Sequence, residues 1–272
     1  MKTEIIPTIT SHKTAFLVIL NEIRKGLLVT WHYKFNVISE LITLGIYFLG
    51  TALLMNYGST NLEEFGPSLI GYIVWVYSSY ILKVSLILTL EGRSGTLEQM
   101  YMSPVHPALI FIGASISTIV SSTMMISAMS VIIMYLCSIH IPLQLAAIPI
   151  LFIILVGLIG FGLCIAGMAL LYKNVAGLID LIDNILFYLS GSMLPIEQLP
   201  VWIQKIAHTL PTAEGIIVLR AVLFESKSLT MLIADGQLFS LLMNSGLYFI
   251  GGLLLFMYCE KIAKKRGKLG QY

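Results

Sequence analysis

Residues 108–137 read ALIFIGASISTIVSSTMMISAMSVIIMYLC, a run with no charged side chain anywhere in it. A helix that is apolar on every side cannot face water, whereas a bilayer core about 30 Å thick accepts roughly 20 such residues. Lipid leaves no backbone polar group unpaired, so the run must be helical. Working outward, five further apolar stretches of spanning length flank it, at 37–56, 68–90, 145–171, 176–194 and 236–258. The expected fold is an all-α integral membrane protein with six transmembrane helices. Composition points the same way: of 272 residues, 57% are hydrophobic and 11% charged, against about 25% charged in soluble domains. So few charges cannot cover a water-soluble globule, and a net charge of +2 provides no basic surface for nucleic acid. Cys137, Cys164 and Cys259 are too few and too dispersed for a disulfide framework or a zinc site.

The basic residues orient the chain, because loops rich in Lys and Arg stay in the cytoplasm. With both termini inside, twelve lie on the cytoplasmic side, from Lys2 and Lys13 through Arg93 and Lys173 to Lys261–Lys268, and only Lys205, Arg220 and Lys227 lie outside. A multi-pass protein of the cell membrane is expected. Residues 1–36 form a cytoplasmic N-terminus without a removable leader. Its 15–32 stretch mixes Phe16, Leu20, Leu27 and Trp31 with Glu22, Arg24 and Lys25. That is too much charge to cross, and it predicts an amphipathic helix lying in the inner membrane surface. Residues 37–258 make up the transmembrane domain, and 259–272 form a basic tail.

Between the fifth and sixth runs, Pro195, Pro200 and Pro211 divide an apolar stretch that is too short to span in either part. IEQLPVWIQKIAHTL sets Leu199, Trp202, Ile203 and Ile206 against Gln204, Lys205 and His208. The pattern predicts a re-entrant helical hairpin on the outer face over 195–235, covered by protein or a cavity.

HExxH, GxSxG, GxxxxGK[ST] and clustered His and Cys are all missing, so no catalytic residue, metal or cofactor is assigned to this chain. Any energy source must come from a partner or a gradient. The most informative hydrophilic break is the cytoplasmic link 91–104, EGRSGTLEQMYMSP. Ser94-Gly95 permits a turn, TLEQMYM suits a short helix, and Ser103 and Pro104 end it. Such a knob under the membrane is suited to receive motion from a soluble subunit.

This segment, E-x-R-x-G-T-L-E-Q-x-x-x-S-P, is similar to one found in permease subunits of type 2 ABC transporters, particularly the branch resembling daunorubicin-resistance exporters. Gly92 departs from it, since many members carry a charged residue there. The stretch 193–223, MLPIEQLPVWIQKIAHTLPTAEGIIVLRAVL, also resembles that family's outer hairpin. The resemblance implies an ATP-driven exporter of two permease chains, a homodimer or heterodimer, with two separate ATPase subunits that bind ATP and Mg. It makes Glu91, Arg93, Gly95, Thr96, Leu97 and Glu98 the coupling contacts. Pro195, Pro200, Trp202 and Pro211 would belong to a hairpin gating release of a drug-like, peptide or lipid-like substrate.

Four ionisable residues fall within spans: Glu40, Lys83, Asp180 and Asp183. At 1.5 Å per residue all four lie in the cytoplasmic third, about 5 to 10 Å from the inner edge. Charges in lipid are costly and normally face the protein interior. One reading is an ion-pair network, with Lys83 paired to Glu40 or an aspartate, or reaching to the inner surface. The other is an acidic vestibule favouring cationic substrates. Two rival functions stay open at this point, a gradient-driven carrier or channel and an intramembrane enzyme using Asp180 and Asp183, although the GxGD context of aspartyl intramembrane proteases is missing. Small residues at Gly113, Ser117 and Ser121, and at Gly157, Gly160, Gly162 and Gly167, predict close helix packing. Tyr72, Trp75, Tyr77 and Tyr80, with Met124, Met125 and Met129, fit either packing or an apolar path.

Overall fold

A computed structural model describes residues 12–55, 65–93, 101–102, 105–142, 144–172, 174–193 and 195–266. Within these it is helical and without strands. The helices are α1 (His12–His32), α2 (Lys34–Met55), α3 (Phe65–Val84), α4 (Leu86–Arg93), α5 (Pro107–Leu136), α6 (Ala147–Leu171), α7 (Ala176–Leu189), α8 (Val201–Ala207), α9 (Pro211–Phe224), α10 (Leu229–Ala234) and α11 (Gln237–Lys265). Among the described residues, five helical stretches are long and apolar enough to cross a membrane: Lys34–Leu54, Phe65–Glu91, Pro107–Leu136, Ala147–Leu171 and Gln237–Lys265. The second runs through α3 and α4 across a turn at Ser85, whose hydroxyl donates to the Gly162 carbonyl at 3.0 Å.

The predicted fifth span, 176–194, is shorter than expected. Helix α7 has 14 residues, about 21 Å of rise, which is less than the roughly 30 Å hydrocarbon core. The uncharged run continues past Leu189, but Gly191 takes a left-handed φ of 77° and the Ser192 hydroxyl turns back to the Phe187 carbonyl. Pro195 then prevents the helix from resuming. A sixth crossing arises only if α8 and α9 are taken together, and these are bent by 93°. In the predicted hairpin region, a 3-10 turn at Ile196–Gln198 leads into α8, and α9 is buried between α3, α6 and α11, with Ala213, Ile216 and Val222 fully enclosed.

Helix α1 differs from a helix that merely floats in the membrane surface. It packs along the first half of α5, where Ile19 and Glu22 meet Gly113 and Gly26 meets Ser117 and Ser121. A Cβ on Gly26 would collide with the Ser117 hydroxyl, which donates to the Glu22 carbonyl at 2.8 Å. Contacts advance along both helices together, so α1 and α5 run parallel. The four-residue spacing of small side chains on α5 is thus the groove that receives α1. Phe16, Leu17, Leu20 and Trp31 remain exposed on the other side.

The tightest seam joins α6 to α11. Gly160 and Gly252 meet backbone to backbone, Gly157 faces Ser245, and Gly167 faces Phe256. These contacts also advance together, as two spans running the same way require. Gly162 turns elsewhere, toward Ile81 and Phe111. At the far end of the bundle, Arg220 on α9 donates from Nε to the Pro67 carbonyl at 2.9 Å and from Nη2 to the Ser192 carbonyl at 3.0 Å.

Candidate functional site

Helical periodicity places one face of each of α2, α3 and α7 toward a common space. Glu40, Thr43, Leu44 and Tyr47 come from α2, and Asp180, Asp183 and Asn184 from α7. Between them α3 presents Tyr72, Trp75, Ser79, Tyr80 and Lys83. The space is a cavity of about 350 Å³. All four ionisable residues singled out in the spans therefore line one cavity, although the sequence separates them by up to 143 positions.

Hydroxyls hold two of the carboxylates. Tyr80 Oη donates to Glu40 Oε1 at 2.6 Å, and Ser79 Oγ donates to Asp183 Oδ2 at 2.8 Å. Trp75 Nε1 donates to the Asp183 backbone carbonyl at 3.2 Å, fixing the indole against α7. Asp183 Oδ1 is buried with no hydrogen-bond partner among the described residues. Asn184 donates to the Asp180 carbonyl at 2.7 Å, and Tyr72 to the Leu44 carbonyl at 2.9 Å. An aromatic wall runs from Phe48 through Tyr72 and Trp75 to Phe187, with successive ring centroids 5.4, 5.3 and 4.7 Å apart.

The ion pair expected between Lys83 and Glu40 or an aspartate is not made. Among the described residues Lys83 forms no salt bridge within 4.0 Å. Its ammonium instead lies over the Tyr80 ring, 5.9 Å from the centroid, and its side chain is exposed. The long stem lets it leave the acids, and the hydroxyls of Ser79 and Tyr80 each reach one carboxylate oxygen, of Asp183 and Glu40, at shorter range.

Of the aromatic residues weighed for an apolar path, Tyr72, Trp75 and Tyr80 line the cavity. Tyr77 points away and hydrogen-bonds Thr123 at 2.9 Å. Met125 and Met129 are core residues, and Met124 is exposed. Ser79, Thr43, Tyr47 and Asn184 are the polar lining residues the sequence did not single out. A polar side chain on a spanning helix carries no signal until its neighbours are known. A second cavity, about 460 Å³ and bounded by Ile73, Met134, Ile148, Leu151, Leu219 and Leu223, has no ionisable residue in its lining.

Of the expected coupling residues, Glu91 lies in the last turn of α4 and Arg93 ends that helix. Gly95, Thr96, Leu97 and Glu98 lie outside the described residues. Just beyond, the Lys264 ammonium sits 4.9 Å from the Tyr101 ring centroid. The buried Glu260 joins His106 at 3.3 Å and Lys264 at 2.8 Å, tying the start of α5 to the end of α11. Nothing in the sequence marked this cluster. The expected gate residues are spread out rather than gathered: Pro195 precedes the 3-10 turn, Pro200 caps α8, Trp202 is exposed, and Pro211 opens α9. Across the bend His208 Nδ1 meets Glu214 at 2.8 Å. No three His, Cys, Asp or Glu side chains among the described residues are placed to hold a metal ion.

The family model for the ABC-2 type transporter matches residues 19–224. The chain belongs to the ABC-2 type transporter family. Two relatives carry the name probable multidrug ABC transporter permease YbhR, one from Escherichia coli strain K12 and one from Escherichia coli O157:H7. Each is 28% identical over 148 residues, which is 53% of this chain and 39% of the relative. The chain thus spans about two fifths of the length of the curated relatives it matches. Membership makes it a multi-pass membrane protein of the ABC-2 permease family. Within this ABC-2 permease the matched stretch contains all three helices that line the acidic cavity.

Proposed function

We propose that this ABC-2 permease is the membrane half of an ATP-driven exporter. Two permease chains assemble with two separate ATPase subunits that bind ATP and Mg. The observation that carries this reading is the family match across α1–α9 of a chain whose sequence contains no phosphate-binding loop. Segment 91–104 docks on the ATPase, with Glu91, Arg93, Gly95, Thr96, Leu97 and Glu98 as its contacts. Closure of the ATPase pair pushes that segment against α4 and α5, between which it lies in the chain. The cavity of α2, α3 and α7 belongs to the translocation path. The α8–α9 bend, with Pro195, Pro200, Trp202 and Pro211, lies on the outer side and gates release. The multidrug naming of the relatives and the likeness to daunorubicin-resistance permeases favour a drug-like substrate over a peptide or lipid-like one.

The test is co-purification followed by transport. An ATPase subunit should bind the wild-type chain and be lost when residues 91–98 are scrambled. Gly95→Pro and Glu98→Lys should leave the chain inserted and the ATPase active while export falls toward background. Transport that persists in both variants at equal expression, or without any ATPase, overturns the assignment.

A further inference from the structure

We infer that the cavity between α2, α3 and α7 binds an organic cation with a compact ammonium head. This deepens the transport reading and rests on it. Three carboxylates, Glu40, Asp180 and Asp183, share the lining with one ammonium, Lys83. The hydroxyls of Tyr80 and Ser79 orient two of these acids without supplying a compensating charge. Asp183 Oδ1 is buried and unpartnered among the described residues, and a buried polar atom in that state calls for a donor or a cation.

The rest of the lining suits the same ligand. Tyr72, Trp75 and Tyr80 line the cavity, and aromatic faces attract cations, tryptophan most strongly. One of these rings already takes a cation, since the Lys83 ammonium lies over Tyr80. A volume of about 350 Å³ falls at the small end of ligand sites and admits one head group with a single ring. A divalent metal fits poorly, because the described residues offer no converging set of three ligands. An anionic head would meet the acids. The second cavity has no ionisable lining residue and cannot discriminate by charge.

The experiment uses the full chain in nanodiscs with Trp31→Phe and Trp202→Phe. Both of these tryptophans are exposed, and their replacement leaves Trp75 as the single tryptophan of the three. The probes are benzyltrimethylammonium, its neutral isostere neopentylbenzene, and benzenesulfonate. The ammonium should change Trp75 fluorescence saturably, and neither other compound should do so. Asp183→Asn and Glu40→Gln should weaken the ammonium by about tenfold each, the loss of a charge contact worth about 1.4 kcal/mol. Lys83→Gln should tighten it by removing a competing cation, and this variant keeps the test decisive if the acid variants fold poorly. Equal response to neopentylbenzene, or ammonium curves unmoved by all three variants, overturns the inference. Binding is read without an ATPase. Saturable ammonium binding with no ATP-driven export by the wild-type chain, in which Trp202 is intact, would therefore remove the exporter reading and leave the site, whereas export without ammonium binding would remove the site alone.

Discussion

Between α6 and α11 the backbones touch at Gly160 and Gly252, and neither residue has room for a Cβ. Between α3 and α7 the helices instead hold open about 350 Å³ around three carboxylates. Both interfaces are built inside the same apolar bundle, so hydrophobic character does not distinguish them. Side-chain size does. In lipid, where helices gain nothing by hiding from water, close approach comes from small residues and van der Waals packing. Where large aromatic and charged side chains interrupt that approach, space and polarity enter together. The glycine seam is the arrangement of a fixed frame. The α2, α3 and α7 cavity is the arrangement that the ligand site inferred above requires.

The largest effect should come from filling the seam. Gly252→Val drives a branched side chain into the Gly160 carbonyl, which cannot move aside. Overpacking costs about 1–3 kcal/mol even where side chains can shift, so loss of the monodisperse species in size-exclusion chromatography is expected. A wild-type elution profile would end the idea of a fixed frame. Gly26→Val should be milder, at about 1–3 kcal/mol, because it separates α1 from α5 and leaves the spans alone. The expected readout is faster proteolysis confined to the N-terminal helix. Ser79→Ala removes a donor from a partly buried carboxylate and should lower stability by about 1.5–3 kcal/mol or less, read as a reduced thermal midpoint in one detergent. An unchanged midpoint would mean that water replaces the serine and that the cavity is wetter than its lining suggests. The smallest effect belongs to Gly251→Ala, beside the seam but with no atom within 4 Å of the new Cβ. Helix propensity predicts a gain of up to about 1 kcal/mol. A loss comparable with Gly252→Val would show that glycine flexibility, rather than close contact, is what α11 requires.

Much of the frame is legible in the sequence. Runs without charge give the spans, and glycine spacing in 157–167 announces a seam without naming its partner. The partner stretch of that seam on α11, Ser245 to Phe256, carries its own glycines, but pairing them needs the third dimension. The fifth span misleads because composition registers apolar residues and not backbone direction. Ser190-Gly191-Ser192 is permissive for lipid, yet Gly191 turns the chain out of the helix. Glu40, Lys83, Asp180 and Asp183 stand out because charge in an apolar run is costly. Their immediate partners do not, since Ser79 and Tyr80 are ordinary residues until Asp183 and Glu40 arrive beside them. The amphipathic pattern of α1 suits a lipid surface and a protein groove equally well, and only the small residues of α5 decide between them.

Arg220 also has a consequence for how the molecule is made. Its guanidinium reaches back 153 residues to Pro67 and 28 residues to Ser192. A ribosome delivers these three positions in order, and the clamp cannot close until the last of them emerges. The ends of α3 and α7 must therefore wait, already inserted, for a helix that has not yet been synthesised. Chains truncated before Arg220 should insert their early spans normally and still be the preferred clients of membrane quality control.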